Sequence, residues 1–223
     1  MFAKPVAPAS RPRRQSAIER TRLVLPSLSE MTDNILAIYD SANATQRFTG
    51  ATWYYDASGI AYDLDRNIER SAGVIAALSP QLSWLSNVGA AYSLYTDRVP
   101  DNVLPESVDK ALRIMSGESP DSVLGGRKVR SFYRNILLPD AHGPVTVDRH
   151  ALAIALGVDP DTARFHGPNP KVLERIGAYT YVASAYRGAA RERGMRPHEM
   201  QAVTWVAWRA LTGADIHDRQ ETF

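Results

Sequence analysis

Three side chains of this 223-residue sequence have the chemistry of a reaction centre: Asp148, Lys128 and Gln81. Asp148 opens "DRHALAIALG", and a carboxylate at the mouth of an apolar segment either caps a helix or does acid–base and electrostatic work on a substrate. Next to a helix N-terminus it suits a base or charge stabiliser better than a general acid. Lys128 lies in "GGRKVRSFYR". Gly125 and Gly126 let the backbone approach a phosphate, and the amides opening the following helix would point at it. Arg127 and Arg130 either depress the Lys128 pKa, making it a nucleophile, or join it in holding phosphate; the bland reading puts these cations on a solvated face. Gln81, in "LSPQLSW", offers an amide that can read an exposed base edge or merely satisfy backbone groups between two helices. Trp84 and Asn87 follow on the early turns of the next helix. His150, two residues past Asp148, reads as a packing histidine.

Composition narrows the classes. The chain has no cysteine, which excludes disulfides, cysteine-held zinc, iron–sulfur clusters and thiol nucleophiles. Its five histidines are scattered, with no pair at ligand spacing on one helix, so no metal and no cofactor are expected. No phosphate-binding glycine loop, HExxH, EF-hand loop or GxSxG motif occurs. A net charge of +2 is too small for a polybasic binder, yet arginines clump in "RPRR", "GRKVRSFYR" and "YRGAARERGMR". No apolar run reaches the roughly 18 residues of a membrane span, and the N-terminus lacks the apolar centre of a signal peptide. A cytoplasmic protein is expected.

The elements that position these residues read as helices. Residues 1–14 form a basic tail rich in Pro, Ala and Arg, expected to be flexible, and 15–223 a single domain. Ser27 and Glu30 have capping-box spacing and start a helix over 28–42. "TWYYDASG" reads as a loop carrying aromatics. Helices follow over 65–78, stopped by Pro80, over 82–96, and over 105–116. After Gly125-Gly126, residues Val129, Phe132, Tyr133, Ile136 and Leu137 keep helical spacing. Asp148 caps a helix that closes at Gly157. Asn169-Pro170 opens a long helix whose stripe runs through Val172, Ile176, Tyr179 and Ala183 toward Gly194. Pro197 opens the last helix. With no sustained alternation and no hairpin signal, the expected fold is all-α, with eight to ten helices in a two-lobed globular arrangement.

In this order, "VIAALSPQLSWLSNVGAA" and "VTVDRHALAIALG" resemble two segments of the helix-hairpin-helix/GPD superfamily of DNA glycosylases, the endonuclease III group, over roughly residues 65–160. The resemblance implies that Gln81 enters the duplex beside an extruded base and that Asp148 is catalytic. "SVLGGRK" only echoes that family's hairpin: with the lysines aligned, its first glycine falls on Leu124. Lys128 follows Gln81 by 47 residues and precedes Asp148 by 20. The first interval better suits the helix before the hairpin, so the hairpin is expected to be degenerate or missing, and Lys128 stays open between nucleophile and phosphate ligand. The family's cluster-binding cysteines are absent. "GRKVRSFYRNI" with "QAVTWVAWR" is most similar to a phage-associated branch linked to hypermodified thymine. That similarity implies a DNA base-modification enzyme in which an amino acid or polyamine displaces pyrophosphate from the thymine methyl group. The alternatives are a DNA N-glycosylase and a catalytically silent DNA-binding module.

Overall fold

The computed structural model describes residues 25–213; the basic tail expected over 1–14 lies outside them. Among the described residues there are eleven α-helices, one more than the upper end of the expected eight to ten, and a 3-10 turn, with no strand, so the fold is all-helical as expected.

Helix α1 (Leu28–Ser41) begins at the anticipated capping box: Glu30 N donates to Ser27 Oγ, and Ser27 N to the Glu30 carboxylate. The segment "TWYYDASG" is no loop. It lies inside the 21-residue helix α2 (Ala44–Leu64), whose own capping box pairs Asn43 with Gln46. Its buried positions are Gly50, Tyr54, Ala57 and Ala61, a helical face made of small residues around one tyrosine. Such a face lacks the large aliphatics that mark a helix in sequence. It serves close approach instead: a Cβ at Gly50 would sit 2.3 Å from Val203 Cα of the last helix.

Helices α3 (Ile68–Leu78), α4 (Trp84–Tyr95) and α5 (Pro105–Met115) match expectation. A four-residue helix, α6 (Pro120–Val123), and the turn Leu124–Gly126 lead into α7 (Arg127–Leu137). Helix α8 (Arg149–Ala155) starts at Asp148 and ends at Gly157, whose left-handed φ of 65° closes a Schellman motif in which Val158 N donates to Ala153 O. Helix α9 (Pro160–Phe165) follows. The long helix expected from Asn169 is broken: Pro170–Glu174 is a 3-10 turn, and α10 (Ala178–Glu192) begins only after Gly177, at φ 83°. Ile176, expected on the apolar stripe, is fully exposed at this break. Helix α11 (Pro197–Leu211) closes the described fold.

Two large apolar cores and a small cluster of Ala42, Val203 and Ala207 result. The first gathers α2 to α7, including Tyr54, Leu78, Phe132 and Ile136; the second gathers α1, α8 and α10, including Ile35, Leu152, Val182 and Tyr186. Helix α11 belongs to both, giving Trp205 and Val206 to the first and Met200 and Trp208 to the second. This sharing explains why α11 is apolar on most sides. Gln81, Lys128 and Asp148 meet where the two cores join.

Candidate functional site

Asp148 is positioned by an extended segment that belongs to no sheet. Val145, Thr146 and Val147 are fully buried, so their polar groups need partners from elsewhere. Side chains supply them. The Tyr179 hydroxyl of α10 accepts from Val147 N at 3.0 Å and donates to Val145 O at 2.8 Å. Asn135 of α7 donates to Pro144 O at 2.9 Å and to Thr146 Oγ1 at 3.1 Å. The Tyr54 hydroxyl of α2 lies 3.0 Å from Thr146 Oγ1 and 3.1 Å from Gln201 Oε1 of α11. Burial raises the pKa of Tyr54 and of Tyr179, which keeps both as phenol donors. Both cores therefore grip the residues immediately before Asp148.

Asp148 itself is 3 % exposed. Its Oδ1 accepts from Ala151 N at 2.7 Å as the N-cap of α8. Its Oδ2 is buried and has no hydrogen-bond partner. A cap uses one oxygen; a second, buried and unsatisfied, is costly unless it serves something other than folding.

A cavity of about 720 Å³ opens beside it, within the range of small-molecule sites. The first core contributes Pro80 and Gln81 from the α3–α4 turn and residues 126–129 from the start of α7. The second contributes residues 147–149, Pro170, residues 173–177 and Tyr179. Gln81, Gly126, Arg127, Lys128 and Asp148 thus share one cavity. Gln81 is exposed and holds a left-handed backbone, φ 65°, a conformation that costs a non-glycine residue roughly 1–2 kcal/mol. The turn keeps that strain while presenting the amide at the cavity. Gly126 adopts φ 72° and ψ 143° at the head of α7, a backbone state suited to glycine, and no side chain caps that helix. Arg127, Lys128 and Val129, whose amides have no partner within the helix, line the same cavity.

Lys128 is half-buried in the wall. Burial pushes its ammonium below the ordinary lysine range; the Asp148 carboxylate offsets part of that effect and Arg149 adds to it. Arg127 bridges the cores, donating to Thr180 Oγ1 at 2.8 Å with its guanidinium 4.8 Å above the Tyr179 ring. The lining carries four cations, Arg127, Lys128, Arg149 and Arg175, against Asp148 and Glu174. Such a surface favours an anionic ligand while offering one carboxylate inside it.

The other anticipated residues stand apart from the lining. Trp84 packs in the first core, 4.9 Å from Trp53 between ring centroids. Asn87 is buried in α4 with both amide atoms unpartnered. Gly125 is exposed at the turn. Arg130 folds back, its Nε donating to Leu124 O at 2.7 Å, and so braces the turn that presents Lys128. His150 is buried and receives Arg149 Nε at 3.3 Å, consistent with packing. Tyr179, Arg149, Leu173 and Arg175 also line the cavity and were not among the anticipated site residues. Arg149 is legible in the sequence, adjoining Asp148 in "VDRH"; Tyr179 lies on the apolar stripe, and its signal is that a buried tyrosine hydroxyl usually takes a hydrogen-bond partner.

Among the described residues no group of acidic and histidine side chains could hold a metal ion, and no helix is long and apolar enough to cross a membrane. No curated protein and no solved structure matches the chain. A family model described as "Family of unknown function (DUF7178)" matches residues 20–212, most of the sequence, and the chain belongs to that family.

Proposed function

We propose that this protein is a DNA-acting enzyme that receives an extruded base in the cavity between its cores, and that it modifies a 5-substituted thymine there. The observation that carries the reading is the Asp148 carboxylate, with one oxygen spent on the α8 cap and the other buried and unpartnered, on a cavity shared with Gln81 and Lys128. A base inside a duplex cannot reach such a recess, so the nucleotide must leave the stack, and Gln81 on its exposed turn is suited to the gap left behind. Asp148 then stabilises positive charge developing at the exocyclic methylene or takes a proton from the incoming amine. In the modification step a carbon–nitrogen bond forms to an amino acid or polyamine, the carbon–oxygen bond to pyrophosphate breaks, and pyrophosphate departs. Arg127, Lys128 and the free amides of α7 suit that anionic leaving group. Plain base excision by water, the N-glycosylase alternative, uses the same carboxylate at the sugar C1′ and has no need of the cationic wall.

The test is product analysis. Duplexes carrying normal, damaged or pyrophosphorylated hydroxymethyl-uracil bases are incubated with the protein, with an amino acid or polyamine present. Pyrophosphate release with an intact glycosidic bond supports modification; abasic sites would instead establish the glycosylase. If Asp148→Asn leaves every measured activity intact, the protein is a binding module.

A further inference from the structure

We propose that Ile176 is an intercalating side chain, which enters the base stack of duplex DNA at the step from which the target nucleotide departs. The inference rests on the reading of the cavity as the receptor of an extruded base.

Ile176 is 107 % exposed, while the next most exposed large apolar side chain among the described residues, Val99, is at 78 %. Leaving an isoleucine in water forgoes the gain of burying it. Its exposure is built in. Arg175 N donates to Val172 O at 3.2 Å and Ala178 N donates to Arg175 O at 3.1 Å, so the turn is closed on both sides of Ile176. Gly177 follows at φ 83°, a left-handed state that restarts the chain as α10 with Ala178 and Tyr179 inward. The break in the expected long helix is therefore what turns this side chain outward.

Ile176 borders the same cavity as Gln81, and the two come from opposite cores. Each sits on a tight turn containing a left-handed residue, Gln81 itself on one and Gly177 on the other. Exposed Arg175 adjoins the isoleucine, and exposed Arg149 and Arg127 line the same cavity, with Glu174 the acidic exception. An apolar tip in a cationic field fits a partner that is anionic outside and apolar between its layers, which is a stacked duplex. The two side chains would then close the gap from two sides, Gln81 with a hydrogen-bonding amide and Ile176 with hydrocarbon.

The experiment uses a duplex with 2-aminopurine beside a mismatched thymine, and reads its fluorescence and the affinity on adding full-length protein. The wild-type chain and Ile176→Leu should raise the fluorescence through unstacking. Ile176→Asn should abolish the rise and weaken binding to this duplex roughly tenfold, leaving a single strand of the same sequence bound as before. An Ile176→Asn protein that unstacks the reporter as well as wild type overturns the intercalation while the base-receiving cavity stands. A wild-type protein that neither binds nor unstacks the duplex overturns both. Arg175→Gln separates charge from insertion: it should lower affinity for all duplexes alike and reduce the salt slope by about 1.

Discussion

The close approach of α2 to α11 at Gly50 can be tested within one helix. Gly50 and Gly59 both lie in α2, and replacing either with alanine gains about 1 kcal/mol of intrinsic helix preference. Their surroundings differ. A Cβ at Gly59 meets nothing within 4 Å, whereas at Gly50 it would lie 2.3 Å from Val203 Cα and 2.6 Å from Val203 N. The obstacle is backbone, so no rotamer change relieves it and the helices must part. Overpacking of this kind costs about 1–3 kcal/mol, and a backbone obstacle belongs at the top of that range. After the propensity gain, Gly50→Ala should destabilise by about 2 kcal/mol and Gly59→Ala should stabilise by up to about 1 kcal/mol. For a chain of this size each kcal/mol moves Tm by roughly 2–4 °C, so the two melts followed by circular dichroism should separate by about 6–12 °C. Equal melting temperatures would refute the packing argument and, with it, the placement of "TWYYDASG" against α11.

The site yields further expectations. Asp148→Asn keeps an oxygen for Ala151 N, so its stability should stay within about 0.5 kcal/mol of wild type while turnover is lost; Asp148→Ala should lose turnover and also about 1 kcal/mol by urea unfolding. Lys128 has its folded-state pKa lowered by burial, so the unfolded chain holds that proton more tightly. Its destabilising effect is full below the folded pKa and fades as pH rises toward the unfolded value of about 10.4. Lys128→Met should therefore be more stable than wild type at neutral pH, and the advantage should shrink in alkaline solution, read by denaturation at several pH values. Gln81→Gly should relieve the left-handed strain and stabilise the fold by about 0.5–1 kcal/mol while weakening any preference for duplexes with an extruded base.

Much of the site was legible because local chemistry specified it. Asp148 followed by an apolar segment ending in Gly157 defines both ends of α8, and Ser27 with Glu30 defines the start of α1, each from contacts within a few residues. The glycine turn before Lys128 was readable for the same reason. What escaped depends on distant partners. The face of α2 is built from Gly50, Ala57 and Ala61, residues whose value lies in letting α11 approach, and nothing in their own neighbourhood announces that. The stripe through Val172, Ile176 and Tyr179 satisfied helical spacing, yet Gly177 breaks it, and the second wall of the cavity is made from that break. Trp84 and Arg130 have the residue types of a nucleic-acid surface, but the fold spends one on the first core and the other on the Leu124 carbonyl.

The cavity beside Asp148, as proposed, receives a base taken out of the stack. Affinity for a duplex with one mismatched thymine, against the fully paired duplex, measures this directly, since a mismatch lowers the unpairing cost. The wild-type protein should prefer the mismatched duplex by tenfold or more. Leu173→Trp, which fills the cavity from its second wall, should erase that preference and keep the affinity for paired DNA. An unchanged preference in Leu173→Trp, or none in the wild type, would mean that the cavity takes no base.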